Sequence, residues 1–469
     1  MRDIILAIII FGALPLCLTR PSFGLLVWSW LGYMNPHRLT YGFAYAFPWV
    51  MIVAVTTIVG ALFGREKLKF PWSSITVVWL LLVAWMCVTT AFALVPDLAH
   101  AELQRAVKIQ VMILMTFLLM KSRERLVQLV WVMAMSIAFF GIKGGVFTAA
   151  TAGSYRVWGP AGSFVEGNNE IALALLMVVP LMRFLQLQVE KRWLKRALTV
   201  AMVLCALSIV GSWSRGALVG GAAMVLFFWM KSRHKIRFGI PLMLTAVLAV
   251  GFMPQGWTDR MHTIGSYQDD ESALGRINAW WFAFHLANDH PIVGGGFHVF
   301  DENLFKIYAP DPTRVHDAHS IYFQMLGEQG YVGLLLFLTL WCLTLRNAAW
   351  VTRNARGDPK LQWAVDLVSM TQVGLIGYWT GGAFLGLSYF DLPYQMMAVI
   401  VMTRYVVARQ LAGEAEDPAP GKMPLLRRFR ARAAASANPR TAAPHLAGNR
   451  LSGTAARHAS ATPMAPRNR

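Results

Sequence analysis

The residues with the clearest chemical potential form one stretch, in which His319-Ser320 is followed by nine residues and then by Gly330-Tyr331. The stretch begins where an acidic, histidine-rich loop runs into an apolar segment. A neutral imidazole can take a proton from a hydroxyl group, because its pKa lies close to neutral pH. A histidine at a helix start is also often a polar residue with satisfied hydrogen bonds, so the sequence leaves both interpretations of His319 open.

Four arginines are candidates because the charge pattern predicts them to lie on the outer face of a membrane: Arg156, Arg215, Arg276 and Arg314. Guanidinium groups stay charged and bind phosphate oxygens through paired hydrogen bonds. Several of them in one cleft beside His319 would therefore suit a diphosphate at a membrane surface. Each of them alone could instead be an arginine near a helix end whose head group only reaches for water.

Two further side chains are candidates for the same site. Glu170 opens an apolar segment and could bind a sugar or pair with an arginine, although an acid in the first turn is also an ordinary helix-start residue. His316, three residues before His319, could form a metal pair with it, but no third ligand has convincing spacing. Residues 20–43 contain no Asp or Glu that could provide an acidic metal site. We predict no metal.

The elements that must position these residues are membrane helices. The chain has 469 residues, of which 56% are hydrophobic, and it contains many apolar runs of about 20 residues, which predicts an all-α polytopic membrane protein. The runs lie near 3–19, 22–35, 44–63, 72–93, 106–120, 126–150, 168–187, 196–213, 216–230, 237–253, 321–345, 365–388 and 393–410. Five Lys/Arg clusters are separated from one another by two runs each, so all of them can lie on the cytoplasmic face.

The number of crossings depends on one short run. Three apolar runs precede the first basic cluster, whereas a cytoplasmic N-terminus requires an even number. Because run 22–35 is short and carries Gly24 and Gly32, we interpret it as re-entrant or interfacial, which gives about twelve transmembrane helices. Thirteen crossings with an external N-terminus are the alternative.

Residues 1–410 are predicted to be the transmembrane domain, with 254–320 as a large loop on the outer face that contains helices. This loop holds six of the eleven histidines, and nine Asp/Glu against four Lys/Arg. Residues 411–469 are predicted to be a disordered, basic cytoplasmic tail near anionic lipid. Although the net charge is +19, no aromatic residues beyond Phe429 alternate with the arginines of the tail, so we predict no nucleic-acid partner.

One helix is predicted inside the large loop. Residues 272–290 have Ser272 as a suitable N-cap and are followed by Pro291. The aromatic residues of this segment suit a helix that lies on the membrane surface: Trp280, Trp281 and Phe284. The following Gly294-Gly295-Gly296 predicts a tight turn.

These motifs, taken in order, resemble a known family. The segment from His319 to Tyr331 is similar to the signature of the bacterial O-antigen ligase superfamily, and it has the same placement after a large outer loop. Arg215 in Ser-Arg-Gly and Arg276 in the loop look like two arginines of that family, and Arg156 also fits its pattern. The likeness covers roughly 65–410. The N-terminal region resembles a branch labelled O-glycosylation ligases associated with exosortase systems.

The resemblance implies a metal-independent glycosyltransferase of the GT-C type in the bacterial inner membrane, with its active site facing the periplasm and no cofactor. The donor would be a glycan on undecaprenyl diphosphate, and the acceptor a sugar hydroxyl of lipid A-core, in lipopolysaccharide biosynthesis. His319 would be the general base. Arg215 and Arg276, with Arg156 and Arg314 as weaker candidates, would bind the diphosphate.

Three other functions stay open. An O-antigen polymerase and a protein O-oligosaccharyltransferase would use the same donor, with a lipid-linked glycan or a secreted protein as the acceptor. A transporter is an alternative of a different class. It would be expected to show internal repeats and polar sites at the middle of the membrane, whereas here the polar residues gather at the outer face.

Overall fold

The computed structural model describes residues 1–64, 66, 68–231, 251, 253–262 and 271–414. All of them belong to one compact unit, Met1–Ala419. Within the described ranges the regular elements are helices, which confirms the predicted all-α class. The predicted run 237–253, apart from residues 251 and 253, and the basic tail from residue 415 onward lie outside the described residues.

The α-helices are numbered here in chain order. They are α1 (Arg2–Thr19), α2 (Pro21–Met34), α3 (Trp49–Phe63), α4 (Ser74–Ala91), α5 (Pro96–Leu119), α6 (Arg123–Ala150), α7 (Asn168–Gln188), α8 (Arg192–Gly211), α9 (Arg215–Lys231), α10 (Gln255–His262), α11 (Glu271–Asp289), α12 (Glu302–Tyr308), α13 (Ile321–Ala355), α14 (Gln362–Gly381) and α15 (Asp391–Leu411). Short 3-10 turns cover Pro36–Leu39, Phe43–Tyr45 and Gly382–Phe384.

Six of the described helices are long and apolar enough to cross a membrane: α1, α4, α6, α7, α8 and α13. The shorter apolar helices include α3 and most of α9. The chain is therefore a multi-pass membrane protein, as predicted. The figure of about twelve crossings stays a prediction.

Contacts between described residues bring segments beside four of the five basic clusters to one end of the bundle. Arg125 forms an ion pair with Glu66, at the end of α3. Arg123 donates to Gln188 Oε1 over 3.1 Å at the end of α7, and its guanidinium lies 5.6 Å from the ring of Trp363 at the start of α14. These contacts define a basic end of the bundle, as the charge pattern predicts.

The first three helices run in alternating directions. Asp3 at the start of α1 accepts hydrogen bonds from the N–H groups of Gly42 and Ala44, at 3.0 and 3.1 Å, just before α3. Near the other end, Gly60 of α3 packs against the backbone of Leu18. The helices α1 and α3 are therefore parallel, and α2 returns between them. The total number of crossings also depends on the run 237–253, which lies largely outside the described residues, so twelve and thirteen crossings both stay predictions.

The helices that carry the outer segments pack closely through small residues. A side chain at Gly145 of α6 would overlap the backbone of Leu204 in α8, and one at Gly211 would overlap Thr148. Such close approach is common between membrane helices whose contacts are glycines. The central helix is α7. In its most apolar stretch of 18 residues, 78% of the residues are buried inside the protein. Its first turn carries Glu170.

Candidate active site

Side chains of α11 hold the segment that ends at His319 through hydrogen bonds. Asn278 of this helix donates from Nδ2 to the carbonyl oxygens of Asp311, at 2.8 Å, and Arg314, at 3.0 Å. Trp280 donates from Nε1 to the carbonyl oxygen of Ala318 at 2.7 Å. Because Ala318 directly precedes His319, these bonds fix the position of the imidazole.

Two expectations about α11 need correction. The helix begins at Glu271, so Ser272 lies in its first turn and is not the residue that precedes it. Trp280 does not lie free on the membrane surface, because its ring stacks on Phe323 at 5.1 Å with an interplanar angle of 8°. Trp281 and Phe284 are the exposed aromatic residues of this helix, as a membrane-surface position requires.

The backbone of His319 has a φ of +42°, which is uncommon for residues other than glycine. Its neighbours Ala318 and Ser320 are each only 1% exposed, so the surrounding structure holds this conformation in place. The imidazole is half-buried and lines a cavity of about 200 Å³. Unusual backbone angles held by buried neighbours are a frequent feature of functional sites.

The second half of the motif has a structural role. Gly330 interrupts α13 with a φ of +68°, and this kink frees three carbonyl groups from the helix. Those of Gly327 and Glu328 accept from the N–H groups of Gly295 and Gly296, each at 2.9 Å. The third carbonyl group, that of Gln329, accepts a hydrogen bond from Trp85 Nε1 at 3.0 Å. The predicted glycine turn at 294–296 therefore docks on the kink. Its Gly294 and Gly296 also have positive φ angles.

Alanine in place of Gly330 is expected to destabilise the protein by about 1–3 kcal/mol, the usual cost of a strained backbone. Its Cβ would also overlap the carbonyl oxygen of Ile292. Gly357 is a matched control, because it has a φ of +93° with no atom near the added Cβ. Thermal unfolding of the two purified variants should show the larger loss for Gly330→Ala. Equal losses would mean that the close packing at the kink is unimportant.

The cavity beside His319, called here the His319 cavity, lies between the ends of α5, α7 and α13 and the segments around 298 and 386–389. Its lining residues are Glu102, Glu170, Phe297, His298, Phe300, Asp317, Ala318, His319, Gln324, Glu328, Gly386 and Tyr389. The walls thus combine aromatic rings with carboxyl, amide and phenol groups. Such a lining suits a sugar, whose ring has apolar faces and whose hydroxyl groups need polar partners.

Burial is the largest cause that lowers the pKa of His319, and the positive charge of Arg276 lowers it further. Asp317 acts in the opposite direction, and His316 adds a smaller lowering effect. The imidazole is therefore neutral at pH 7 and able to accept a proton. The charge of Arg276 also acts on Glu170, so this arginine is close to both His319 and the start of α7.

Two family models match the chain. Residues 200–338 match the O-antigen ligase model (Wzy_C), and residues 1–190 match a family of unknown function (DUF5935). The first match includes Arg215, Arg276 and the whole stretch from His319 to Gly330. Residues 200–338 of the chain are an O-antigen ligase domain. No curated protein matches the chain.

This domain implies a glycosyltransferase-like enzyme of the ligase or polymerase type, acting in a membrane on lipid-linked substrates. The ligase model ends inside α13, just beyond the Gly330 kink. It therefore covers both the segment with His319 and the turn that supports it.

The other predicted residues of the ligase domain occupy different places. Arg215 begins α9, and Asn168 Nδ2 donates to the carbonyl oxygen of Ser212 at 2.7 Å, which joins the start of α7 to the segment that leads into Arg215. Arg314 pairs with Asp311 at 3.1 Å, and both side chains are more than 40% exposed. His316 is exposed, with its ring 5.6 Å from that of His319.

Arg156 lies over the ring of Trp213 at 5.4 Å, in the segment before Arg215. In the described part of the chain, the lining of the His319 cavity includes none of the four arginines. Arg276 is the one whose charge acts on His319. Within the same ranges, no group of three His, Cys, Asp or Glu is placed to hold a metal ion.

Several lining residues were missed by the sequence analysis. Glu328 is 4% exposed, and its Oε1 accepts from the backbone N–H of His298 at 3.2 Å. Tyr389 accepts from Gln329 Nε2 at 3.0 Å, beside the same carboxyl group. The signal for Glu328 was present, because an acid nine residues beyond His319 in an apolar run is unusual at membrane depth. Tyr389 follows a helix end far along the chain and carries no such signal.

Proposed function

We propose that this enzyme transfers a glycan from undecaprenyl diphosphate to a hydroxyl group of an acceptor at the periplasmic face of the bacterial inner membrane. The acceptor we propose is lipid A-core, which makes the enzyme an O-antigen ligase of the GT-C type. The observation that carries this proposal is the neutral, half-buried imidazole of His319 beside the charge of Arg276, on the wall of a polar and aromatic cavity.

The residues suggest the following reaction. His319 takes the proton of the acceptor hydroxyl group, and the resulting oxygen attacks the anomeric carbon of the donor glycan. The bond between that carbon and the diphosphate oxygen breaks, and the electron pair stays on the departing undecaprenyl diphosphate. Arg276 and Arg215 are proposed to stabilise its charge, with Arg156 and Arg314 as weaker candidates. Because the diphosphate is already a good leaving group, no nucleotide is needed.

Two groups are proposed to orient the glycan and the base. Glu170 lines the cavity next to Arg276, and it can accept a hydrogen bond from a sugar hydroxyl or hold the guanidinium in place. His316, whose ring touches that of His319, is proposed as a positioning residue. Glu328 and Tyr389 offer polar atoms on the opposite wall for further hydroxyl groups of the substrates.

The transfer rate should depend on pH through His319. Its pKa is lowered, so the imidazole loses its proton below its ordinary value of 6.5 and is active as a base above that point. We therefore expect kcat/KM, which reports ionisations of the free enzyme, to fall at acidic pH with a midpoint below 6.5. A rate profile from about pH 5 to pH 8 measures this. A midpoint above 6.5 would contradict the proposed environment of the base.

The experiment that tests the function is transfer by the purified enzyme from an undecaprenyl-diphosphate glycan, with lipid A-core and a secreted protein offered as separate acceptors. We expect a glycosylated lipid A-core and free undecaprenyl diphosphate. Product on the protein alone would identify a protein O-oligosaccharyltransferase, and growth of the lipid-linked glycan would identify a polymerase. No consumption of the donor with any acceptor would refute the proposal.

A further inference from the structure

Four cavities follow one another from His319 to the side of the helix bundle, and α5 forms a wall of all of them. The His319 cavity shares Glu102 with a second cavity of about 300 Å³. The second shares Arg105 with a third of about 420 Å³, and the third shares Lys108 with a fourth of about 460 Å³. These three residues are spaced three apart on α5, so they lie along one face of the helix.

The fourth cavity, called here the lateral groove, differs from the others in chemistry. Its walls are apolar side chains of α3 and α5, among them Ala54, Ile58, Val107 and Val111. The cationic residues that line it are Arg38 and Lys108. An apolar channel with positive charge is complementary to an amphiphile that has acyl chains and an anionic head.

Two nitrogen atoms in this groove have no hydrogen-bonding partner among the described residues. They are Nε of Arg38 and Nδ1 of His37, and both are shielded from solvent. The Arg38 guanidinium is held in place, because it lies 4.7 Å from the ring of Tyr45 and packs against Gly162 in the segment that follows α6. A buried guanidinium N–H without an acceptor is costly, and a phosphate oxygen would satisfy it.

We infer that the lateral groove binds the acceptor as a phosphate-bearing membrane lipid, with the phosphate at Arg38 and Lys108 and the head group extending along α5 to His319. The inference rests on the proposed function, and it adds the place where the acceptor lipid binds. The carboxyl groups of Glu166 and Asp391, which line the third cavity, are placed to accept hydrogen bonds from hydroxyl groups of that head group.

The position of the groove separates this lipid from the donor. In the donor, the phosphate is bonded to the carbon that reacts, so it must lie at the reaction centre near Arg276. Lys108 is six residues from Glu102 along α5, which corresponds to about 9 Å of helix. Lys108 lines neither the His319 cavity nor the second cavity, so a phosphate there is separated from His319 by the second cavity and does not suit the leaving group. It fits a molecule that keeps its phosphate while a distant hydroxyl group reacts.

The first test is binding without turnover, in the full-length His319→Ala protein in nanodiscs. The probe is a photoreactive phosphatidic acid, with the matching diacylglycerol as the phosphate-free control. We expect phosphate-dependent labelling of α3 and α5, with competition by lipid A but not by phosphatase-treated lipid A. Equal labelling by diacylglycerol would show an apolar opening only, and equal competition by inorganic phosphate would show a site for the free anion. Either result overturns the inference.

The second test uses the active protein with Arg38→Gln and Lys108→Gln together. Loss of charged hydrogen bonds should weaken labelling by about tenfold or more. The KM for lipid A-core should rise by a similar factor, while kcat and the KM for the donor stay unchanged. Lys143→Gln is the matched control, since Lys143 is an exposed cation in the neighbouring helix α6 and does not line the described groove.

The outcomes separate this inference from the proposed function. Weaker labelling with an unchanged acceptor KM would identify a structural lipid and overturn the acceptor role. If the wild-type protein consumes no lipid-linked donor but still shows phosphate-dependent labelling, the proposed function fails while the lipid site stands. A chain that glycosylates only a protein, with no competition from lipid A, would also overturn the inference.

Discussion

Alanine in place of His319 should slow glycan transfer by about 10²–10⁴-fold, the usual contribution of a positioned general base. The loss is expected in kcat, with the KM for the donor little changed, because the base acts on the acceptor proton only as the new bond forms. The protein should fold normally, since Asn278 and Trp280 hold the segment through its backbone carbonyl groups and not through the imidazole.

Compared with His319→Ala, the variant His319→Asn is the more specific test of the base. Asparagine tolerates a positive φ better than most residues, so it keeps the backbone at +42° and a polar side chain, yet it cannot take up the proton. Rates of donor consumption by the two variants, at equal amounts of folded protein, measure the effect. If His319→Asn transferred glycan as fast as the wild type, the base would have to be another group, and Glu328 or Asp317 would be tested next.

Replacing Arg276 by alanine should reduce kcat by about 10²–10³-fold, as the loss of a group that stabilises charge in the transition state usually does. Lysine at this position should recover only part of the rate, because it keeps the charge but not the forked geometry that fits a phosphate. Lys306→Ala removes an exposed cation from the same loop and controls for its overall charge. An Arg276→Ala enzyme with an unchanged rate would refute the role.

Arg276→Ala has a second expected effect, which a purely structural role would not produce. The charge of Arg276 lowers the pKa of His319, so its removal should raise that pKa and move the acid limb of the rate profile to higher pH. Arg276→Lys should leave the limb near its wild-type position. The residual activity of both variants, followed over the same pH range as the wild type, measures the shift.

Charge and hydropathy patterns in the sequence predicted the main features of the helical membrane fold. They placed the basic clusters at one end, and the contacts of Arg123 and Arg125 agree. They also predicted the all-α class and the glycine turn at 294–296. These predictions rest on properties that each segment has by itself, namely apolar length, charge and turn residues. The direction of α2 could not be predicted from such local properties. It follows from the tertiary contact between Asp3 of α1 and the backbone N–H of Gly42 before α3.

The composition of the site was predicted less well, because tertiary contacts decide it. Arg314 and Arg276 look alike in the sequence, but one pairs with Asp311 in solvent and the other acts on His319. An aromatic residue on a membrane surface has the same sequence pattern as one that packs beneath a loop, which is why Trp280 was misplaced. Tyr389 reaches the cavity only because α13 and the segment before α15 come together.

The three carbonyl groups released at Gly330 have a consequence for engineering this enzyme. Their hydrogen bonds join α13 to the 294–296 turn and to α4. Hydrogen bonds from α11 hold the chain that leads to Ala318. The position of the imidazole also depends on α12, because Phe305 of this helix is fully buried and stacks on Phe282 of α11 at 4.3 Å. Loop exchange between related enzymes should therefore keep Phe305 and alter the exposed positions Glu302, Asn303 and Lys306, where new side chains leave the support of the catalytic atoms in place.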